Sequence, residues 1–123
     1  MNLPPSLEEF IGRYVDSIET LEILLLLKRS PETYWMTTAI ESHLGIRSGT
    51  AEKHLRELLD NRFIVRGMTG AFRYSPSNEG HDEAVTALAA AYADQRVAVV
   101  NAVFSESLSR LRAFANAFKV TSE

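Results

Sequence analysis

Residues 37–59, TTAIESHLGIRSGTAEKHLRELL, constrain the fold more than any other stretch, because two helical apolar patterns meet there at a glycine. Ile40 and Leu44 lie four residues apart, on one face of a short first helix. Gly45 is expected to close that helix, since glycine enters the left-handed conformation at little cost. Ile46 then plugs the turn. Ser48 is the expected N-cap of a second helix, whose Ala51, Leu55, Leu58 and Leu59 fall on one side at helical spacing. The opposite side carries Gly49, Thr50, Lys53 and Arg56, which are small, polar or basic.

That layout fits a helix-turn-helix, in which the second helix offers its polar face to a nucleic-acid groove. The competing possibility is an ordinary helical hairpin inside an unrelated bundle. The next segment of the chain favours the first. After Asp60-Asn61-Arg62 the period changes from helical to strand-like: Phe63-Ile64-Val65 is β-branched and aromatic, as strands prefer. Gly67-Met68-Thr69-Gly70 supplies turn residues, and Ala71-Phe72-Arg73-Tyr74 alternates apolar with polar before Pro76. The expected product is a β-hairpin over about 63–75 directly after a helix over about 48–60, the arrangement called a wing. Arg66 and Arg73 fall near its tip on opposite arms.

The flanking segments read as scaffold. Pro4 and Pro5 delay helix onset, and Ser6 with Glu9 fits a capping box before a helix offering Leu7, Phe10, Ile11 and Tyr14. Asp16 with Glu19 is a second capping signal. A helix from there to about Arg29 is stopped by Ser30-Pro31 and buries Ile18, Leu21, Leu24, Leu25 and Leu27. Trp35 is expected in the core rather than as a binding platform. Beyond Pro76, Ser77 or Asn78 caps a long Ala-rich helix to about Val103, with Val85, Leu88, Ala89, Tyr92, Val99 and Val103 on its apolar side. Phe104-Ser105 is expected to break it. Ser105 would cap a last helix with Leu108, Leu111, Phe114, Ala115 and Phe118 on one stripe.

The expected fold class is therefore mainly α with a small β-hairpin wing: residues 1–76 as a winged helix-turn-helix with an N-terminal helix, and 77–123 as a C-terminal helical hairpin. The apolar stripes of that hairpin, joined by Leu7, Phe10 and Ile11, exceed what a short hairpin buries alone. A homodimer through the C-terminal helices is thus expected, the alternative being packing against residues 18–27 of the same chain.

The net charge of −3 disfavours a nucleic-acid partner, but its distribution favours one. Residues 43–75 hold six basic side chains (Arg47, Lys53, Arg56, Arg62, Arg66 and Arg73) against three acidic ones. Residues 1–42 hold three against seven, and 76–123 hold four against six. A local basic surface can bind phosphate on an acidic protein. The absence of cysteine excludes disulfides and thiolate metal sites. The N-terminus, MNLPPSLEEF, shows no secretory pattern, and the apolar run Leu21–Leu27 is too short to span a bilayer. A cytoplasmic protein with no membrane partner is expected.

Residues 17–75, carrying HLGIRSGTAEKHLRELLDNRFIVR and the hairpin after it, resemble the winged helix-turn-helix domain of bacterial transcriptional regulators of the MarR and ArsR type. Leu44, Gly45, Ile46, Thr50, Ala51, Leu55 and Leu58 match that pattern, and the resemblance covers about half the chain. It implies a DNA-binding transcription regulator. Two positions depart from it: Glu41 stands where a small residue lets the helices cross closely, and Arg62 where a glycine ends the recognition helix. Asn61 is the expected substitute for that glycine. The stretch AYADQRVAVVNAVFS also resembles the end of some small bacterial winged-helix proteins, with no activity implied.

For DNA binding the roles divide by chemistry. Ser48, Gly49 and Thr50 open the second helix, where free N–H groups favour phosphate. Lys53 is the expected base-edge contact, with Arg47 and Arg56 reaching base or backbone, and Arg66 and Arg73 contacting backbone or minor groove. No catalytic residues, cofactor or metal are expected. His43, His54 and His81 sit on separate elements without ligand spacing, and no carboxylate pattern beside them completes a site. Gly67 and Gly70 lack the Lys-Ser/Thr step of a phosphate loop. The protein is expected not to be an enzyme. The alternative function is a winged-helix protein-interaction module without specific DNA binding. A small-molecule effector between the C-terminal helices and the core is a third class, for which the Ala-rich packing leaves little sign of a cavity.

Overall fold

The computed structural model describes residues 3–105 and 108. In chain order the elements are α1 (Pro5–Tyr14), α2 (Ile18–Arg29), α3 (Thr37–Leu44), α4 (Ala51–Asp60), β1 (Ile64–Arg66), β2 (Phe72–Tyr74) and α5 (Glu79–Asp94), followed by a helical stretch over 96–105. The fold is mainly helical with one small antiparallel hairpin. Among the described residues no helix is long and apolar enough to cross a membrane.

A helix apolar around most of its circumference must sit among other elements, and α2 does. Leu21, Ile23, Leu24 and Leu27 are fully buried and Leu26 nearly so, while Ile18 and Leu25 are only partly covered. It packs most extensively against α4 and also meets α3, β2 and α5. α1 adds Leu7, Phe10 and Ile11 to the same core and packs on α5. Trp35 is half-buried against that core, as expected of it.

The helix starts differ from the sequence expectation in instructive ways. α1 begins at Pro5 with no side-chain cap, so the Ser6–Glu9 capping box does not form. A proline in the first turn has its φ already set and lacks one of the N–H groups a cap would satisfy. The cap of α2 is Ser17 rather than Asp16: Ser17 Oγ accepts from the Thr20 N–H at 3.1 Å. Of the two candidates for α5, Asn78 is the cap, its Oδ1 accepting from the His81 N–H at 2.8 Å.

The expected single helix to Val103 is corrected. It breaks at Gln95 (φ −134°, ψ 53°), not at Phe104-Ser105, and Ser105 lies inside helical backbone rather than capping a new helix. A straight helix over 79–103 would run about 37 Å. The break returns Val99 and Val103 to the core beside Val85 and Leu88. Leu111, Phe114, Ala115 and Phe118 of the expected last helix lie outside the described residues.

The hairpin falls where the sequence places it. Ile64 pairs with Tyr74, Val65 with Arg73 and Arg66 with Phe72. The tip is closed by Gly67 N–H to Ala71 O at 2.7 Å, and by Gly70 N–H to Gly67 O at 3.0 Å with Gly70 at φ +89°. Trp35 adds a bridge on the far side of β2, donating to Phe72 O at 2.7 Å and accepting from Phe72 N–H at 2.8 Å. The hairpin is thereby tied to the chain just ahead of α3.

Candidate nucleic-acid interface

The link between α3 and α4 decides what the start of α4 can bind. Gly45 ends α3 in the left-handed conformation (φ 67°, ψ 31°), as its position predicts. The N–H groups of Gly45 and Ile46 both reach the Glu41 carbonyl. The Glu41 side chain then crosses to the next helix. It is 5% exposed, and its Oε2 accepts from the N–H of Gly49 at 2.8 Å and of Ala51 at 3.1 Å.

One residue thus caps two helix ends, with its carbonyl behind α3 and its carboxylate ahead of α4. Two expectations fall with this. Ser48 is not the N-cap; α4 starts at Ala51. The N–H groups of Gly49 and Ala51 are not free for phosphate, because a carboxylate, itself favoured at a helix N-terminus, already holds them. The sequence signal was available: Glu41 lies three residues before Leu44, on the side that packs, where an unpartnered charge is not tolerated.

The outer side of α4 follows the expectation more closely. Arg47, Ser48, Gly49, Lys53 and Arg56 are exposed, and Thr50 is half-buried. Arg56 pairs with Glu52 one turn back at 3.3 Å, an exposed contact of little energetic consequence. Lys53 and Arg56 line a shallow groove of about 470 Å³ with Gly49, Glu52, Glu57 and Asp60. All three acidic side chains of residues 43–75 therefore lie on this helix, which dilutes the positive charge that the segment count suggested.

The two hairpin arginines do not share a face. Side chains alternate across a strand, and directly paired residues point the same way. Arg66 pairs with Phe72, whereas Arg73 pairs with Val65, so they point to opposite sides of the ribbon. Arg66 is exposed, with its guanidinium 5.4 Å from the Phe72 ring centroid. Arg73 is half-buried over Tyr34 at 5.4 Å, and its Nε is buried without a hydrogen-bond partner.

At the far end of α4 it is Arg62, not Asn61, that adopts the left-handed conformation: φ is 65° at Arg62 and −85° at Asn61. Position 62 thus takes the left-handed geometry with a long basic side chain. Phe63 N–H then bonds Leu58 O at 3.0 Å, which fixes the exit into β1.

No protein-family model, curated protein or solved structure matches the chain.

The inner side of α4 holds a cluster that spacing in the sequence does not reveal. His54 is 9% exposed, and its Nδ1 lies 2.8 Å from Thr20 Oγ1. Thr20 in turn donates to Asp16 Oδ1 at 3.2 Å. Ligand atoms of Asp16, His54 and Glu57 lie within 4.8 Å of one another. Burial and the neighbouring Asp16 carboxylate push Glu57 above the usual carboxylate range. The expectation of no nearby carboxylate pattern around these histidines does not hold for His54: Glu57 follows three residues on, and the segment before α2 brings Asp16 in from 38 residues away. His43 instead packs edge-on to Trp35, and His81 stacks on Phe63 at 4.6 Å.

A second polar knot ties β2, α2 and α5 together. Tyr74 Oη donates to Asp82 Oδ1 at 2.7 Å, and Lys28 Nζ reaches the same oxygen at 3.3 Å. The Tyr74 hydrogen bond, with help from Lys28, holds Asp82 below the usual carboxylate range, while burial and Asp82 push the Tyr74 phenol up.

The proposed pairing surface also changes. Val85, Leu88, Val99 and Val103, like Leu7, Phe10 and Ile11, are buried within the one chain, so they present nothing to a partner. Exposed instead are Val97 and Phe104, seven residues apart on the other side of the helical stretch over 96–105, and Leu108.

Proposed function

We propose that the chain is a winged helix-turn-helix transcription regulator that binds duplex DNA through the outer side of α4 and the tip of the β1–β2 hairpin. What carries the reading is one juxtaposition. A Gly45-centred turn sets α4 with its apolar side on α2, leaving Arg47, Lys53 and Arg56 exposed, and a hairpin with an exposed Arg66 comes directly after. Lys53 is the base-reading residue in this scheme, and Arg47, Arg56 and Arg66 contact phosphates.

Because Glu41 holds the start of α4, phosphate is bound by these side chains rather than by the helix N-terminus. Arg73 holds Tyr34 and contributes little to DNA. The protein requires no cofactor for this activity and is not an enzyme. It binds as a dimer whose contact is the Val97/Phe104/Leu108 side, since two heads on one duplex multiply a modest single-head affinity.

Glu52, Glu57 and Asp60 on the same helix support a second reading, a winged-helix module whose partner is a protein with basic side chains. Charge reversal separates the two. Lys53→Glu with Arg56→Glu leaves the melting temperature nearly unchanged, since both side chains are exposed, and abolishes duplex binding. Unchanged duplex binding by that variant would refute the DNA reading. Val97→Asp with Phe104→Asp is expected to convert a dimer to a monomer in light scattering; a wild-type monomer at micromolar concentration would remove the assembly part.

A further inference from the structure

We propose that Asp16, His54 and Glu57 bind one divalent first-row transition metal ion between the start of α2 and the inner side of α4. The inference rests on the geometry of these two helices alone and stands whether or not α4 reads DNA.

Three features make this more than a chance grouping. The donors come from two directions: His54 and Glu57 are three residues apart on α4 and so share a face, and Asp16 meets them from the residue just ahead of the α2 cap. Their ligand atoms lie within 4.8 Å. An ion with bonds of about 2.1 Å holds tetrahedral ligands about 3.4 Å apart, so closure draws the donors together by up to about 1.4 Å. Glu57, only half-buried, can supply that shift by changing rotamer.

The second feature is how the imidazole is held. Thr20 is fully buried; its hydroxyl donates to Asp16 Oδ1 at 3.2 Å, and the same oxygen lies 2.8 Å from His54 Nδ1. This contact orients the ring beside the two carboxylates. Metal-binding histidines are characteristically oriented by such a hydrogen bond from the other ring nitrogen.

The third feature is charge and access. Two carboxylates and a neutral imidazole match a dication, whereas the same carboxylates without one repel each other at close range. Glu57 also lines the groove shared with Lys53 and Asp60, which gives an ion a path from solvent. One nitrogen and two carboxylate donors suit Mn²⁺, Fe²⁺, Co²⁺ or Zn²⁺; Ca²⁺ asks for six to eight oxygens, more than these residues supply.

The test is titration of the metal-stripped full chain with Co²⁺ and Zn²⁺, monitored by calorimetry, cobalt absorption and thermal melting. One ion per chain and a rise in melting temperature are expected. Glu57→Gln and Asp16→Asn should each weaken binding by roughly tenfold or more, with no loss of melting temperature in the metal-free state, because each removes one of two neighbouring negative charges. His43→Gln, away from the cluster, should bind as the wild type does. No stoichiometric binding by the wild type, or equal affinity in the wild type and Glu57→Gln, would overturn the proposal.

Discussion

The side of α4 that faces α2 and the side that faces solvent are built from the same ten residues, yet different forces set them. Ala51, Leu55 and Leu58 are fully buried, and His54 is hydrogen-bonded across to Thr20; each has one place to go. Lys53, Arg56, Glu52 and Asp60 stand in water, where no contact with the fold specifies them. Changes to the first set should move stability and leave the salt dependence of binding alone. Changes to the second should do the reverse. Glu41 sits at the junction, a buried charge whose partners are the backbone of the segment that leads into the outer side.

The largest effect is expected inside. Leu55→Ala should cost about 2–5 kcal/mol of stability through lost burial and a residual cavity, measured by urea unfolding. The salt slope of DNA binding by the remaining folded protein should not change; a changed slope would mean that the two sides are not separable.

Glu41→Ala should cost about 2 kcal/mol, since it leaves buried N–H groups of Gly49 and Ala51 without their charged acceptor. Glu41→Gln keeps one acceptor oxygen and should recover part of that loss. If instead Glu41→Ala raises DNA affinity, the start of α4 is a phosphate site that the carboxylate keeps closed.

Tyr74→Phe should cost about 1 kcal/mol near neutral pH by removing the hydrogen bond to Asp82. The folded carboxyl of Asp82 lies below its unfolded value, so its contribution is present above that unfolded value, about 4. It is lost as pH falls through the folded one. The gap between wild type and Tyr74→Phe should therefore close in acid, as read by melting curves from pH 7 to pH 2.

The smallest effect separates the two arginines of the hairpin. Arg66→Ala should flatten the salt slope by about 0.9, equally for all sequences. Arg73→Ala should leave the slope alone and loosen the Tyr34 stack, since its guanidinium is already committed there. Equal slope changes for both would contradict their placement on opposite sides of the ribbon.

The sequence made legible what periodicity encodes. The apolar sides of α2 and α4, the left-handed Gly45 and the hairpin over 63–75 all derive from spacing and turn chemistry that neighbouring residues carry by themselves. What it hid are contacts between residues far apart in the chain. Glu41 reaches Gly49 and Ala51, Asp16 and Thr20 meet His54, and Tyr74 and Lys28 meet Asp82. A local rule names Ser48 as the cap because it sees only the adjacent residues, and a buried carboxylate several positions earlier displaces it. The break at Gln95 was hidden for a related reason: 88, 92, 99 and 103 stay in phase on a straight helix, so the spacing carries no sign of the bend. Of the candidate site, exposure of the basic residues of α4 was readable, while the opposite directions of Arg66 and Arg73 needed the strand register.

The central claim, that the outer side of α4 and the hairpin tip bind duplex DNA through side-chain cations, is tested most directly by the salt dependence of wild-type binding. Affinity for a mixed-sequence duplex is measured from 50 to 300 mM salt by fluorescence anisotropy. Each phosphate-contacting cation contributes a log–log slope of about −0.9, so Arg47, Arg56 and Arg66 predict about −2.5 to −3 for each head bound. A slope in that range supports the account. No binding at the lowest salt, or an affinity that does not fall as salt rises, would contradict it and leave the protein-interaction reading in its place.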